Sequence, residues 1–136
     1  MPEQRRPRGL IDTSVVIDLG QIDPASLPVE VAISSLTLAE LAAGPHATSD
    51  AAERARRQDR LQRTEATLTP LPFDSGAARA YGRIYATIVA GGRKARGPRA
   101  LDLLIAATAL AAGLPLYTRN PSDFNGLDAL VEVVTV

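Results

Sequence analysis

The chain has 136 residues, 46% of them hydrophobic, and its 15 basic and 15 acidic side chains cancel to a formal charge of zero. That length suits one compact domain burying about two-thirds of the unfolded chain's surface, and neutrality excludes nucleic-acid binding by bulk positive potential alone, for which a domain pI above about 9 is the usual sign. No cysteine and a single histidine, His46, exclude a disulfide framework, a thiol nucleophile, a thiolate or histidine-rich metal site and a two-histidine ribonuclease mechanism.

Residues 1–8, with Pro2, Pro7 and three arginines, read as a flexible basic arm, and residues 9–136 as a single domain. No apolar run reaches the roughly 20 residues needed to cross a bilayer. Asp12 and Asp18 come too early for a signal peptide, so the expectation is a cytoplasmic protein without membrane attachment. A first strand fits Gly9 to Asp12, followed by a helix from Ser14 to about Leu19, capped by Thr13 or Ser14 and stopped by Gly20. A second strand fits Val31 to Ser34, and a helix from Leu36 to Ala43, capped by Ser35 or Thr37, closes at Gly44-Pro45. A charged helix is predicted from Ser49 to about Thr67 and a third strand from Leu68 to Leu71; Asp74 then caps a helix from Ser75 to Val89. A basic glycine-punctuated loop over 91–99 leads into an alanine-rich helix from Arg99 to Ala112, with Gly113 as its stop. A fourth strand fits Leu114 to Tyr117, a helical turn Pro121 to Phe124, and a last strand Val131 to Val136, where Glu132 suggests an exposed edge. Short, uniformly apolar strands alternating with helices indicate a mostly parallel central sheet covered on both faces, a three-layer α-β-α sandwich.

Open parallel sheets bind ligands beyond the carboxyl ends of their strands. Asp12 ends the first strand, Glu40 lies a turn into the helix after the second, Asp102 opens the alanine-rich helix, and Asn120 and Asp123 follow the fourth strand. Asp12 follows Leu10-Ile11, while Glu40 and Asp102 have apolar neighbours on both sides, and a carboxylate buried among such neighbours needs a partner. Helix N-termini and arginines can serve any one of them. Several crowded at one end of a sheet are tolerated chiefly around a cation. With only hard oxygen donors available, Mg²⁺ or Mn²⁺ fits, and such a site supports hydrolysis of a phosphodiester by metal-activated water.

Four segments carry a resemblance: Leu10-Ile11-Asp12-Thr13-Ser14, Thr37-Leu38-Ala39-Glu40-Leu41, Asp102-Leu103-Leu104-Ile105-Ala106-Ala107-Thr108-Ala109, and Thr118-Arg119-Asn120-Pro121-Ser122-Asp123-Phe124. In this order and spacing, over residues 9 to 136, the chain resembles the PIN-domain ribonucleases, in particular the VapC-type toxins of bacterial toxin–antitoxin pairs. The resemblance implies a PIN-like fold and a Mg²⁺-dependent endoribonuclease, with Mn²⁺ as a substitute. It also implies a homodimer neutralised by a VapB-like antitoxin. It carries the family's first three acids onto Asp12, Glu40 and Asp102. Many members have aspartate at the fourth position, where this chain has Asn120, with Asp123 three residues on; both stay open. Thr13, Ser14 and Thr118 read as supporting hydroxyls, or equally as helix caps.

The zero total also hides an asymmetry, because the bases are 14 arginines and one lysine, Lys94. Arginine's planar fork suits phosphates, so Arg93, Lys94, Arg96 and Arg99 are candidates to meet RNA, or form a solvated loop. The arginines from Arg54 to Arg63 read as a charged helix face that can also meet an acidic antitoxin tail. Tyr81 and Tyr85 read as core or dimer seam, and His46 is given no role. No residue pattern chooses among tRNA, rRNA and mRNA. Two other classes stay in view: a catalytically weak binding module acting through its antitoxin complex, and a phosphatase with an aspartyl nucleophile. The latter usually carries a second acid where Ser14 stands here.

Overall fold

The computed structural model describes residues 5–95 and 97–136. Among these, β1 (Arg8–Ile11), β2 (Glu30–Ser34), β3 (Pro70–Leu71), β4 (Leu116–Thr118) and β5 (Val133–Thr135) form one sheet in the order β3-β2-β1-β4-β5, every pairing parallel. The helices are α1 (Thr13–Ile17), α2 (Ser35–Ala43), α3 (Ala51–Thr67), α4 (Ser75–Ala90) and α5 (Ala100–Ala112), with short 3₁₀ turns between them.

Alternating side chains of each strand feed two separate cores, as the period of two requires. Leu10, Ala32, Leu116 and Val133 point to one face, against Ile84 and Ile88 of α4 and Leu103 and Ile105 of α5. Ile11, Ile33, Tyr117 and Val134 point to the other, against Val15 and Val16 of α1, Leu41 of α2 and Leu61 of α3. Both faces are covered, so the strands read as continuous apolar runs, and the expected α-β-α sandwich is the observed one.

α1 and α2 start one residue earlier than the sequence suggests. Asp12, not Thr13 or Ser14, caps α1, and Ser34, not Ser35 or Thr37, caps α2. Both caps are extended, the conformation an N-cap requires: Ser34 is itself the last residue of β2, and Asp12 directly follows the last residue of β1. Asp50 and Asp74 cap α3 and α4 by accepting from Glu53 N and Ala77 N, and Gly113 ends α5 in the left-handed region at φ 67°. The fourth strand begins at Leu116 rather than Leu114, because Pro115 has no amide to donate.

The expectation of a flexible arm through residue 8 is corrected for residues 5–8. Arg5 donates to the carbonyls of Leu27 and Pro28, Arg6 pairs with Glu132, the amides of Val29 and Glu30 donate to Arg6 O and Pro7 O, and Arg8 belongs to β1. Met1 to Gln4 lie outside the described residues.

The central strand leaves no room for a side chain at Gly9. A Cβ there would stand 2.5 Å from Tyr117 Cε1 and 3.0 Å from Pro28 Cγ, and the Tyr117 ring is buried. Gly9→Ala is expected to cost about 1–3 kcal/mol through overpacking. Urea unfolding should show a lower midpoint at an unchanged slope; an unaltered midpoint would mean that the ring yields freely.

Candidate metal centre

β1 lies between β2, which follows it in sequence, and β4, which comes much later. Chain connections diverge at this boundary, and in such sheets the crevice beyond the strand ends is the binding place. Asp12 and the segment from Arg119 to Asp123 flank it.

Asp12 is 4% exposed. Its Oδ1 accepts from Val15 N at 3.2 Å and from the Ser14 hydroxyl at 2.6 Å. The same Ser14 Oγ accepts from Arg119 N at 3.1 Å, so one hydroxyl joins the end of β1 to the end of β4. Thr118 Oγ1 accepts from Asn120 N at 3.0 Å, which shapes the turn that follows. On the other side of the crevice, Thr13 Oγ1 stands 2.6 Å from Glu40 Oε1 and 3.1 Å from Thr37 Oγ1. Thr13, Ser14 and Thr118 each make side-chain hydrogen bonds here, while the caps of α1 and α2 are Asp12 and Ser34.

Asp102, in the first turn of α5, is where the charges meet. Its carboxyl is pushed up to about 6, first by burial and then by the negative charges of Asp123, Glu40 and Asp12, with Arg99 opposing. Acids from four separate segments therefore act on one another at this end of the sheet. Asp123 is half-buried and exerts the largest of the three repulsions, whereas Asn120 is exposed. Arg99 turns inward: its Nη2 donates to Asp123 O at 2.8 Å, tying the fourth segment to the start of α5, and its Nε is buried without a partner among the described residues. Arg93 and Lys94 are exposed, and Arg96 lies outside the described residues. Among the described residues, no three His, Cys, Asp or Glu side chains are already drawn together as ligands of a single ion. The donor set is entirely hard oxygen, which fits Mg²⁺ or Mn²⁺.

Residues 10–130 match the PIN domain model. The chain belongs to the PIN-domain family. This PIN domain is 39% identical over 133 residues to Ribonuclease VapC5 of Mycobacterium tuberculosis (strain ATCC 25618 / H37Rv), a match covering 94% of this chain and 95% of that one. It is 33% identical to Ribonuclease VapC of Rickettsia bellii, over 93% of this chain and 95% of that one. Among solved structures it superposes on VapBC-5 from Mycobacterium tuberculosis, a member of the VapBC family of toxin-antitoxin systems. There the TM-score is 0.84 at 38% identity, covering 96% of this chain and 99% of the other. FitAcB from Neisseria gonorrhoeae gives a TM-score of 0.69 at 28% identity, covering 92% and 95%. The VapC-type resemblance carried by the four segments is borne out.

Two features of this PIN domain escape a sequence reading. Thr37, taken as a possible cap, lies one helical turn before Glu40 on the same face, and that three-residue spacing was the available signal. A groove of about 480 Å³ runs between α1 and α3, with Ile17, Leu19 and Leu68 beside Arg56, Arg60 and Arg63. The arginines follow a helical period of three and four, but Ile17 and Leu19 belong to another segment, so only folding reveals the groove. No helix among the described residues is long and apolar enough to cross a membrane.

The raised Asp102 carboxyl sets a sign for stability. The folded protein holds the proton up to about pH 6, the unfolded chain only to about 3.8, so ionised Asp102 opposes folding at neutral pH. Without metal, Asp102→Asn should be more stable than the parent at pH 7.5, by about 1–2 kcal/mol once solvent screening is allowed for. The advantage should shrink as pH falls through 6 and vanish below about 4. Thermal unfolding in EDTA across that range checks it, and a pH-independent difference would remove the like-charge explanation.

Proposed function

We propose that this PIN domain is a cytoplasmic, divalent-metal-dependent endoribonuclease toxin of the VapC type, restrained by a VapB-like antitoxin. The convergence of Asp123, Glu40 and Asp12 on Asp102 carries the reading. Asp12, Glu40 and Asp102 would hold Mg²⁺ or Mn²⁺, and the inward placement of Asp123 favours it over Asn120 as the fourth acid. When bound, the ion acidifies water and offsets negative charge at a phosphodiester. The protein's own part is orientation. Asp12 is fixed by the amide of Val15 and the hydroxyl of Ser14, so it can hold its place through a turnover without reordering. Glu40, aligned by Thr13, can orient the attacking water or take its proton. Asp102 must shed its proton to serve as a ligand, which ties activity to pH values above about 6 unless the ion itself drives ionisation. Arg93, Lys94, Arg96 and Arg99 would meet the RNA phosphates, with Arg99 nearest the acids and also bracing Asp123.

Purified protein freed of antitoxin should cleave structured RNA in Mg²⁺ or Mn²⁺ and lose this activity in EDTA. Asp12→Asn and Asp102→Asn should each lower the rate by orders of magnitude, about 10²–10⁴-fold. Asparagine at residue 12 still caps α1, so the fold should survive. Unchanged cleavage in both variants would sink the assignment. The second reading, a catalytically weak module acting through its antitoxin complex, draws on the exposed asparagine at the fourth position; millimolar Mn²⁺ failing to bind by calorimetry would favour it.

The groove between α1 and α3 is the surface we assign to the antitoxin. Ile17 and Leu19 are 47% and 41% exposed, and Arg60 has no ion pair among the described residues, whereas Arg63 pairs with Asp59 at 3.0 Å. An amphipathic acidic segment matches that mix of apolar floor and arginine wall. Tyr85 and Val89, exposed on α4, offer a separate apolar patch for a homodimer. Arg60→Glu should weaken antitoxin binding about tenfold at low salt, less at high salt, and leave RNA cleavage unaltered. Equal affinity at low salt would place the antitoxin elsewhere.

A further inference from the structure

Helical threonines in this protein share a habit. The hydroxyls of Thr64, Thr67, Thr87 and Thr108 each donate to the carbonyl four residues earlier in their own helix. Thr37 stands in the first turn of α2, where the helix supplies no such carbonyl, and its hydroxyl reaches across to α1 instead. The residue is 0% exposed, so water cannot substitute for that contact.

The proton count along this contact is constrained. A hydroxyl has one proton to give. Glu40 Oε1 lies 2.6 Å from Thr13 Oγ1 and, as a carboxylate oxygen, accepts. The Thr13 hydroxyl is also directed at Thr37 Oγ1, 3.1 Å away, so its single proton lies between two acceptors on α2.

We propose that Thr37 is a positioning residue for Glu40, acting through Thr13: its buried Oγ1 is the second acceptor of the Thr13 hydroxyl, fixes the direction of the Thr13 side chain, and so fixes how that hydroxyl meets the Glu40 carboxylate. The two-hydroxyl chain runs from the α2 core, through the first residue of α1, back to the acid on α2. One end is locked by burial and the other faces the metal centre. This rests on the proposed metal-dependent reading only for its consequence in catalysis; the orientation of Glu40 itself does not require the ion. Groups that orient ligands from behind typically change metal affinity by about 10–100-fold when removed.

Thr37→Val keeps the branched shape and deletes the hydroxyl, while Thr37→Ser keeps the hydroxyl and deletes the methyl. Two readouts are followed in the otherwise intact chain, with circular dichroism confirming the fold: the Glu40 side-chain carboxyl ¹³C resonance without metal, and Mn²⁺ affinity by calorimetry. Thr37→Val should displace the resonance and weaken Mn²⁺ binding about tenfold, whereas Thr37→Ser should stay within about twofold of the parent. On a Glu40→Gln background, Thr37→Val should have little further effect on Mn²⁺, because its influence passes through that carboxylate. A resonance that does not move in Thr37→Val overturns the proposal, as does an equal loss of affinity with and without Glu40. A resonance that moves in a protein binding no Mn²⁺ would leave the positioning role standing and remove the metal-dependent reading instead.

Discussion

The carboxylate of Asp12 is the constraint on which the rest of this molecule hangs. It directly follows the central strand, caps α1 by accepting from Val15 N, and accepts from the hydroxyl of Ser14, whose oxygen in turn accepts from Arg119 N. One side chain thus sets where β1 ends, where α1 begins and how the segment after β4 is anchored. An asparagine could keep the cap. It could not keep the charge, and the charge is what makes Asp12 costly to bury and useful once buried.

That cost is shared. Asp102 resists ionisation first because it is drawn out of water and then because Asp123, Glu40 and Asp12 press on it. Arg99, a cation, opposes that effect, while the donors on Asp12 and Glu40 are neutral: the Val15 amide and the hydroxyls of Ser14 and Thr13. Such donors steer the acids without cancelling them, and this leaves net negative charge for a cation to neutralise. Stability and ion binding are therefore opposed at this end of the sheet, a trade common where a site is held in readiness.

Much of this arrangement is legible in the residues themselves. The strand–acid sequence at Ile11-Asp12, the apolar flanks of Glu40 and Asp102 and the Thr118-Arg119-Asn120 segment state the fold and the acid inventory. Short apolar strands between helices announce the parallel sheet. What is not legible is the work done by contacts between distant segments. Ser14 reads as a helix cap until Arg119 comes to it from β4, and Thr37 reads as another until α1 lies beside α2. The arm through Arg8 reads as disordered because its arginines find their partners, Leu27, Pro28 and Glu132, only after folding. The caps of α1 and α2 fall earlier than a local reading puts them because the helices begin directly from the strand ends, with no intervening turn.

The parallel pairing of the first strand has a consequence in time as well as space. β1 is flanked by β4, with Leu10 beside Leu116, so the centre of the sheet closes only when nearly the whole chain is present. Contacts of such long sequence separation make folding slow, and the loop must be closed before the pairing can reward it. During synthesis, at about 5–20 residues per second, the stretch bearing Asp12 emerges many residues before the segment bearing Asp102 and Asp123. A nascent or truncated chain lacking β4 therefore carries the acids as separate residues, which can gather only once β4 has joined β1.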